Sequence, residues 1–111
     1  MKIIELVDKV KKGETTARAQ VERSLAKAQE TEEYHALLSL TAERALQRAD
    51  EIDEQVKNGE NPGVLAGVPF VVKDNYLAFG APTTAAAKML ENFEAPVQAT
   101  VVEKLEAAGA I

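Results

Sequence analysis

Gly67-Val68-Pro69-Phe70-Val71-Val72-Lys73-Asp74-Asn75 contains the most apolar run of the sequence, and that run ends on a lysine. Its valines and phenylalanine predict a strand from Val68 to Lys73. The run has no polar alternation, which is typical of a strand covered on both faces in a parallel sheet. Pro69 conflicts with a central strand because it has no N–H to donate, so this position should lie near a strand start or at a sheet edge.

Lys73 is the candidate functional residue of this stretch. Full burial disfavours the charged form of a lysine, and a neutral amine can act as a general base, as it does in Ser-Lys arrangements. The alternative is a lysine that ends a strand and extends along its own stem to water. Composition and spacing alone favour this second interpretation, because most lysines are exposed.

Length, charge and residue types limit the classes of function. A chain of 111 residues is sufficient for one small domain with one core, and its net charge of −5 argues against a nucleic-acid-binding surface of its own. A role beside a partner that holds the nucleic acid remains open. The sequence has no cysteine and only His35, which predicts no disulfide and no metal site. Early charges argue against a signal peptide, and no run reaches the roughly 18 apolar residues of a membrane span, so we predict a cytoplasmic protein.

Three helices are predicted in the first 60 residues, because apolar residues recur there at spacings of three and four. They cover residues 3–10, 16–29 and 42–56. Thr15 or Thr16 is the expected N-cap of the second helix, and Thr41 that of the third. Residues 34–40 fit either a brief strand or an extended connector. The turn-rich residues 57–63 are the only plausible boundary, which divides one domain into a helical front (1–60) and a strand-loop-helix segment (61–111).

The second half is predicted to continue from the strand through turns into two helices. Thr83 or Thr84 can cap a helix that runs to Leu90, and residues 100–108 form the last helix, with Gly109 at its C′ position. Residues 110–111 fit the first step of another strand. The predicted fold class is therefore α/β, in which N-terminal helices precede the first strands of a mixed sheet. Since so few strands cannot form a stable sheet alone, the chain is predicted to be the N-terminal part of a larger fold.

The central stretch resembles the amidase signature family. The matching residues are 65–75, Gly80 and the pair Thr83-Thr84, followed by 88–93, 99–105 and 108–110. The helical front also fits, so the resemblance covers nearly the whole chain and implies an incomplete amidase-signature fold. Retention of residues 88–93 makes the sequence most similar to the A subunits of glutamyl-tRNA(Gln) amidotransferases.

The resemblance implies a role for Lys73 in catalysis. The family uses a triad of a lysine, a serine in a cis peptide and a nucleophilic serine, and Lys73 matches the lysine. A neutral Lys73 would draw a proton from the bridging serine, which activates the nucleophile to attack the side-chain amide of glutamine and release ammonia. Asp74 and Asn75 would be turn residues that fix the approach of the lysine, although a plain Asx turn explains them equally well.

The resemblance also implies partners, namely the B and C subunits of a heterotrimeric amidotransferase. Ammonia would pass to the B subunit, where Glu-tRNA(Gln), activated with ATP, becomes Gln-tRNA(Gln), and the C subunit would help to hold the other two together. ATP and Mg²⁺ are used by the partner subunit, and no cofactor is implied for this chain. The tRNA would be reached through the complex rather than through this chain.

The sequence departs from the family pattern in ways that matter for activity. Its only serines are Ser24 and Ser39, and both lie in the front half, away from any Gly-Ser-Ser-Gly-Gly pattern. The isolated 111 residues are therefore predicted to lack amidase activity. Smaller departures are His35, Ala78 and Ala87, where the family often has asparagine, threonine and serine. None of them removes the lysine.

Two alternatives remain open from the sequence. The chain could be part of a stand-alone amidase that hydrolyses a small amide, which would share Lys73 and differ in residues that this chain does not contain. It could also be a non-catalytic helical interaction module. Such a module would expose the unpaired edge of residues 68–72, which favours aggregation unless a partner covers it.

Overall fold

Four α-helices form the regular structure of the chain, which a computed structural model describes from Met1 to Ile111. They are α1 (Ile3–Lys11), α2 (Ala17–Glu30), α3 (Ala42–Lys57) and α4 (Thr100–Ala107). Two short 3₁₀ turns, Glu32–Tyr34 and Lys88–Leu90, interrupt the connecting segments. The three predicted front helices and the last predicted helix are confirmed. None of these helices combines the length and the apolar character needed to cross a membrane.

The core lies between α1, α2, α3 and the start of the central stretch. It contains Val7, Val10, Ala17, Val21, Ala49, Ile52 and Ala66. Alanine at three of these positions lets the elements approach closely. At Gly67 a Cβ would lie 3.1 Å from the Val10 side chain and 3.2 Å from the Ala17 Cβ. The glycine therefore lets the extended chain lie directly on the helices, and this contact fixes where the segment leading to Lys73 begins.

The N-terminus of α2 has two caps, of which the sequence predicted one. The Thr16 hydroxyl accepts a hydrogen bond from the Ala19 N–H at 3.0 Å, as expected of an N-cap threonine. The carboxylate of Asp53 accepts two more, from the N–H groups of Ala17 at 2.7 Å and Arg18 at 3.0 Å. Because Asp53 belongs to α3, this second cap also joins the two helices.

Replacing Thr16 by alanine is expected to lower the free energy of unfolding by about 1 kcal/mol, since one N–H of α2 loses its acceptor. Thr41 is a matched control, because it occupies the N-cap position of α3 without a side-chain capping hydrogen bond. Thr41→Ala should change stability by less than about 0.5 kcal/mol. Urea denaturation of the three proteins measures both values, and equal losses for the two variants would contradict the capping role of Thr16.

The predicted strand, and with it the α/β class and the mixed sheet, is wrong for this chain, which is all helical and has no strand. The stretch is extended, but its pairing is limited to one residue of the opposite segment. Ile111 N–H donates to the Val68 carbonyl at 2.9 Å, and Phe70 N–H donates to the Ile111 carbonyl at 2.8 Å. A strand needs a partner along its length, and the peptide groups of Val71 and Val72 have none within the chain.

Pro69 fits this arrangement. The groups of Val68 and Phe70 that bond to Ile111 lie on one side of the extended backbone. The nitrogen of Pro69 therefore faces the opposite side, and its missing N–H interrupts neither of these hydrogen bonds.

The helix predicted from the threonine pair to Leu90 is also wrong, apart from the 3₁₀ turn Lys88–Leu90. Ala85 and Ala86 have φ angles of +48° and +59°, which a right-handed helix excludes. The Thr84 hydroxyl donates to the Asp74 carboxylate instead of serving as a helix cap. A long-range contact has thus overridden the helix propensity of an alanine run.

The stretch after α2 is a connector rather than a strand, which resolves the alternative that the sequence left open. His35 ends the 3₁₀ turn Glu32–Tyr34 with a φ of +50°. Asparagine and histidine are both enriched in this left-handed region. The asparagine that the resemblance implies at this position would therefore fit the same backbone as His35.

Candidate active site

The main chain of Lys73 is held on both sides, while its side chain is exposed. Upstream, the pairing of Phe70 with Ile111 fixes the extended segment. Downstream, the Lys73 carbonyl accepts a hydrogen bond from the Tyr76 N–H at 3.0 Å, which closes a turn. The burial that would favour a neutral lysine is thus absent within these 111 residues. Lys73 has a defined position, but the chain itself does not desolvate it.

Lys73 faces an open groove of about 590 Å³. Its walls come from α2, the connector after it, α3 and the central stretch. The lining is largely apolar and includes Leu25, Leu37, Leu38, Leu40, Phe70, Val71, Val72, Tyr76 and Phe79. Leu38 and Val71 are 77% and 75% exposed, so this apolar lining is uncovered in the chain. The amine of Lys73 thus lies beside an apolar surface. Covering this surface would exclude water from the groove.

Asp74 ties the lysine-bearing turn to the threonine pair ten residues later. One carboxylate oxygen accepts the Thr84 N–H at 2.8 Å, and the other accepts the Thr84 hydroxyl. The main-chain carbonyl of Asp74 accepts the Ala85 N–H at 2.9 Å. Two parts of the family motif, Lys73-Asp74-Asn75 and Thr83-Thr84, therefore form one site. The sequence singled out both parts but did not predict this contact.

The hydroxyl of Thr84 holds the pKa of the Asp74 carboxyl below its usual value, and the Thr84 N–H adds to this effect. A hydrogen bond to a carboxylate stabilises the charged form. Since the folded pKa is lower than the unfolded one, the ionised carboxyl stabilises the native loop above the unfolded pKa. This contribution is lost as the pH falls through the folded pKa.

Replacing Thr84 by valine is therefore expected to raise the pKa of Asp74 toward the ordinary aspartate value of about 3.9. An NMR titration of the Asp74 carboxyl carbon in the chain and in the variant measures the shift. Thr31→Val is a suitable control, because that hydroxyl bonds only to the Lys27 carbonyl on α2. A titration midpoint that is the same in the chain and in Thr84→Val would contradict the hydrogen bond.

A charged cluster that the sequence did not reveal joins α3 to α4 at the edge of the groove. Arg44 Nη2 contacts both carboxylate oxygens of Glu106, at 3.0 Å and 2.8 Å. Arg48 Nη2 donates to the carbonyls of Glu106 and Ala110, at 2.9 Å and 3.1 Å. Because Ala110 precedes the residue that pairs with Phe70, the cluster helps to hold the central stretch. The only signal in the sequence is the i, i+4 spacing of the two arginines.

The family model described as Amidase matches residues 19–111. This chain belongs to the amidase family. The A subunit of the glutamyl-tRNA(Gln) amidotransferase from Gloeobacter violaceus is 52% identical over 79 residues, which is 71% of this chain and 16% of that protein. The corresponding subunit from Cyanothece sp. is 41% identical over 110 residues, which is 98% of this chain and 23% of that protein.

Solved structures of the family agree with the fold. A structure described as a vestigial protein complex that reveals the evolutionary origins of an s-triazine catabolic enzyme superposes with a TM-score of 0.94 at 35% identity. The superposition covers the whole of this chain and 25% of that structure. A structure described as an amidase gives a TM-score of 0.84 at 32% identity, covering 99% of this chain and 25% of that one.

These comparisons confirm the resemblance to the amidase signature family and to the amidotransferase A subunits. The chain spans about a quarter of the length of the family members that it matches over nearly its whole length. The four helices, the groove and Lys73 therefore correspond to one quarter of an amidase fold.

Proposed function

We propose that this chain is the N-terminal part of the A subunit of a glutamyl-tRNA(Gln) amidotransferase, in which Lys73 is the catalytic base. The observation that carries the proposal is the 41% identity to the Cyanothece sp. A subunit over 98% of the chain, a range that includes Lys73. The fixed main chain around Lys73 and the motif contact between Asp74 and Thr84 agree with it.

In the proposed reaction, the unprotonated amine of Lys73 takes the proton of a bridging serine. That serine takes the proton of a second serine, whose oxygen attacks the side-chain amide carbon of glutamine. Return of a proton to the leaving nitrogen releases ammonia and leaves an acyl-enzyme, which water then hydrolyses to glutamate. Both serines would come from outside these 111 residues, because Ser24 and Ser39 lie in the helical front.

The rest of the fold has two tasks in this proposal. It supplies the serines, and it covers the apolar groove beside Lys73, which removes water from the lysine. Burial disfavours the charged amine and so favours the base form. The isolated chain should consequently release no ammonia from glutamine.

The partners follow from the same proposal. The B subunit would use the ammonia, with ATP and Mg²⁺, to convert Glu-tRNA(Gln) to Gln-tRNA(Gln), and the C subunit would hold the other two together. The chain's net charge of −5 agrees with tRNA binding through the complex rather than through this segment. The proposal places the reaction in the cytoplasm.

The experiment that tests the proposal uses a chimera in which this chain replaces the matching 23% of the Cyanothece sp. A subunit. The chimera is co-purified with the B and C subunits of that organism. We expect it to release ammonia from glutamine and to support formation of Gln-tRNA(Gln). A folded, assembled chimera that does neither would contradict the proposal.

The second candidate is a stand-alone amidase, which is favoured by the TM-score of 0.84 and 32% identity to the structure described as an amidase. Because the two candidates differ in residues that this chain does not contain, genes for the B and C subunits beside the gene for this chain would favour the amidotransferase, and their absence would favour the stand-alone amidase. A non-catalytic interaction module would instead require the isolated chain to be monodisperse and to unfold cooperatively. Its unpaired peptide groups at Val71 and Val72 favour association with another chain and so argue against a monodisperse isolated chain.

A further inference from the structure

Asp74 accepts three hydrogen bonds in a loop whose other peptide groups make few. Its carboxylate accepts the N–H and the hydroxyl of Thr84, and its carbonyl accepts the N–H of Ala85. We call these three hydrogen bonds the 74–84 latch. The residue immediately before the latch is Lys73.

The latch is not the local turn that the sequence suggests. In an Asx turn the carboxylate accepts the N–H two residues later, which here is that of Tyr76. The Tyr76 N–H instead donates to the Lys73 carbonyl. The Asp74 carboxylate is thereby free to reach Thr84, and it fixes a loop that is distant in sequence.

The backbone beyond the latch is held in an unfavourable conformation. Ala85 and Ala86 have left-handed φ angles of +48° and +59° and are exposed, so no packing of their own side chains accounts for them. Non-glycine residues in this region persist where surrounding contacts fix them, and such residues cluster at functional sites. The contacts available here are those of the latch, the Ala86 N–H, which donates to the Thr84 hydroxyl at 3.3 Å, and the Ala87 N–H, which donates to the Thr84 carbonyl at 2.8 Å and closes a turn around the two alanines.

We propose that Asp74 and Thr84 are positioning residues for Lys73, and that the 74–84 latch sets the direction in which the lysine amine enters the site. This inference rests on the proposed function. Lys73 has an exposed side chain, and its own main-chain N–H has no partner within the chain. Its placement therefore depends on the pairing of Phe70 with Ile111 on one side, and on the turn closed by the Tyr76 N–H together with the latch on the other.

The kinetic consequence is specific. Neither Asp74 nor Thr84 is assigned contact with the reacting amide, so loss of the latch should lower kcat and leave KM nearly unchanged. A misplacement of about 1 Å in a catalytic group can cost roughly 100-fold in rate. Serine at position 84 retains the hydroxyl and the N–H, and it should restore the latch.

The test compares Thr84→Val with Thr84→Ser in the chimera, with Lys73→Ala as the reference for loss of the base. We expect Thr84→Val to lower kcat for ammonia release about 10- to 100-fold with KM unchanged within about twofold. Thr84→Ser should stay within about threefold of the unsubstituted chimera. Thr31→Val, a threonine on the C-terminal side of α2, is the control and should leave both constants unchanged.

A second measurement does not depend on activity. Amide hydrogen exchange in the chimera should show protection at Thr84 and Ala85, and Thr84→Val should remove the protection at Ala85. Exchange at the rate of an unstructured peptide in the unsubstituted chimera would overturn the latch. If Thr84→Val removed the protection at Ala85 but left kcat unchanged, the role of the latch in positioning Lys73 would be overturned.

The outcomes also separate the latch from the function on which it rests. If Lys73→Ala abolishes ammonia release and Thr84→Val does not lower kcat, the latch proposal fails and the proposed function stands. If Lys73→Ala retains full activity, the proposed function fails, and the positioning role fails with it. A rise in KM alone would assign Thr84 to substrate binding and would also overturn the positioning role.

Discussion

Replacing Lys73 by alanine in the chimera is expected to lower kcat for ammonia release from glutamine by about 10²- to 10⁴-fold, the range attributable to a general base. The physical reason is that no other basic group of the lysine-bearing turn can take the serine proton. The carboxylate of Asp74 already accepts two hydrogen bonds from Thr84. Glutamine binding should be retained, because the lysine is proposed to act on the serines rather than on the substrate.

Lys57→Ala is the matched control for this substitution. Lys57 is an exposed lysine in the last turn of α3, away from the groove. Its removal should leave ammonia release within about twofold of the unsubstituted chimera, as usual for a surface substitution. If Lys57→Ala and Lys73→Ala lowered the rate equally, the loss would reflect damage to the fold, and the base role would be contradicted. Steady-state ammonia release with glutamine as substrate measures both.

Gly109→Ala is expected to be strongly destabilising. Gly109 has a φ of +96°, and a Cβ there would lie 2.5 Å from the Pro62 carbonyl oxygen and 2.9 Å from the Ala66 Cα. Both contacts are with backbone, which cannot rotate away as a side chain can. The segment that ends α4 must therefore separate from residues 62–67, breaking the hydrogen bond from Gly67 N–H to the Gly109 carbonyl at 3.0 Å.

Gly59→Ala distinguishes the cost of the clash from the cost of the backbone conformation. Gly59 has a φ of +75°, but a Cβ there would meet nothing within 4 Å. Its replacement should cost about 1–2 kcal/mol, the penalty for an L-residue in the left-handed region. Gly109→Ala should cost a further 1–3 kcal/mol or so for the clash. Urea denaturation gives both values, and equal costs would show that the close approach at Gly109 is unimportant.

The helices were predictable from the sequence because their determinants are local. Apolar spacing located α1, α2, α3 and α4, and Thr16 marked the start of α2. The cap from Asp53 was not predictable, because it depends on how α3 packs against α2. The same holds for the cluster of Arg44, Arg48 and Glu106, whose members are about 60 residues apart in sequence.

The strand and the helix after Thr84 were mispredicted for a common reason. Valine-rich residues 68–73 have the composition of a strand, but only Ile111 is present to pair with them. The alanine run has the composition of a helix, but Asp74 takes the N–H and hydroxyl of Thr84 and the N–H of Ala85. The strand did not form because a pairing partner along its length is missing. The helix did not form because contacts with the distant Asp74 are present.

The sequence was sufficient to predict which residues belong to the site, but not how they contact one another or how exposed they are. The sequence identified Lys73, Asp74 and Thr84 through the family resemblance, and the structure brings the last two into direct contact. Burial would favour the neutral, basic form of Lys73, but the lysine is exposed in this chain. Burial would require elements that cover the groove, and we propose that these lie outside the 111 residues.

The central claim is that this chain is the first quarter of an amidotransferase A subunit and that Lys73 acts with serines encoded beyond it. The most direct measurement is the nucleotide sequence that follows the codon for Ile111. We predict an open reading frame that continues into a strand and then a Gly-Ser-Ser-Gly-Gly segment, which would supply the two serines. A stop codon directly after Ile111 would leave Lys73 without a serine to act on and would contradict the claim.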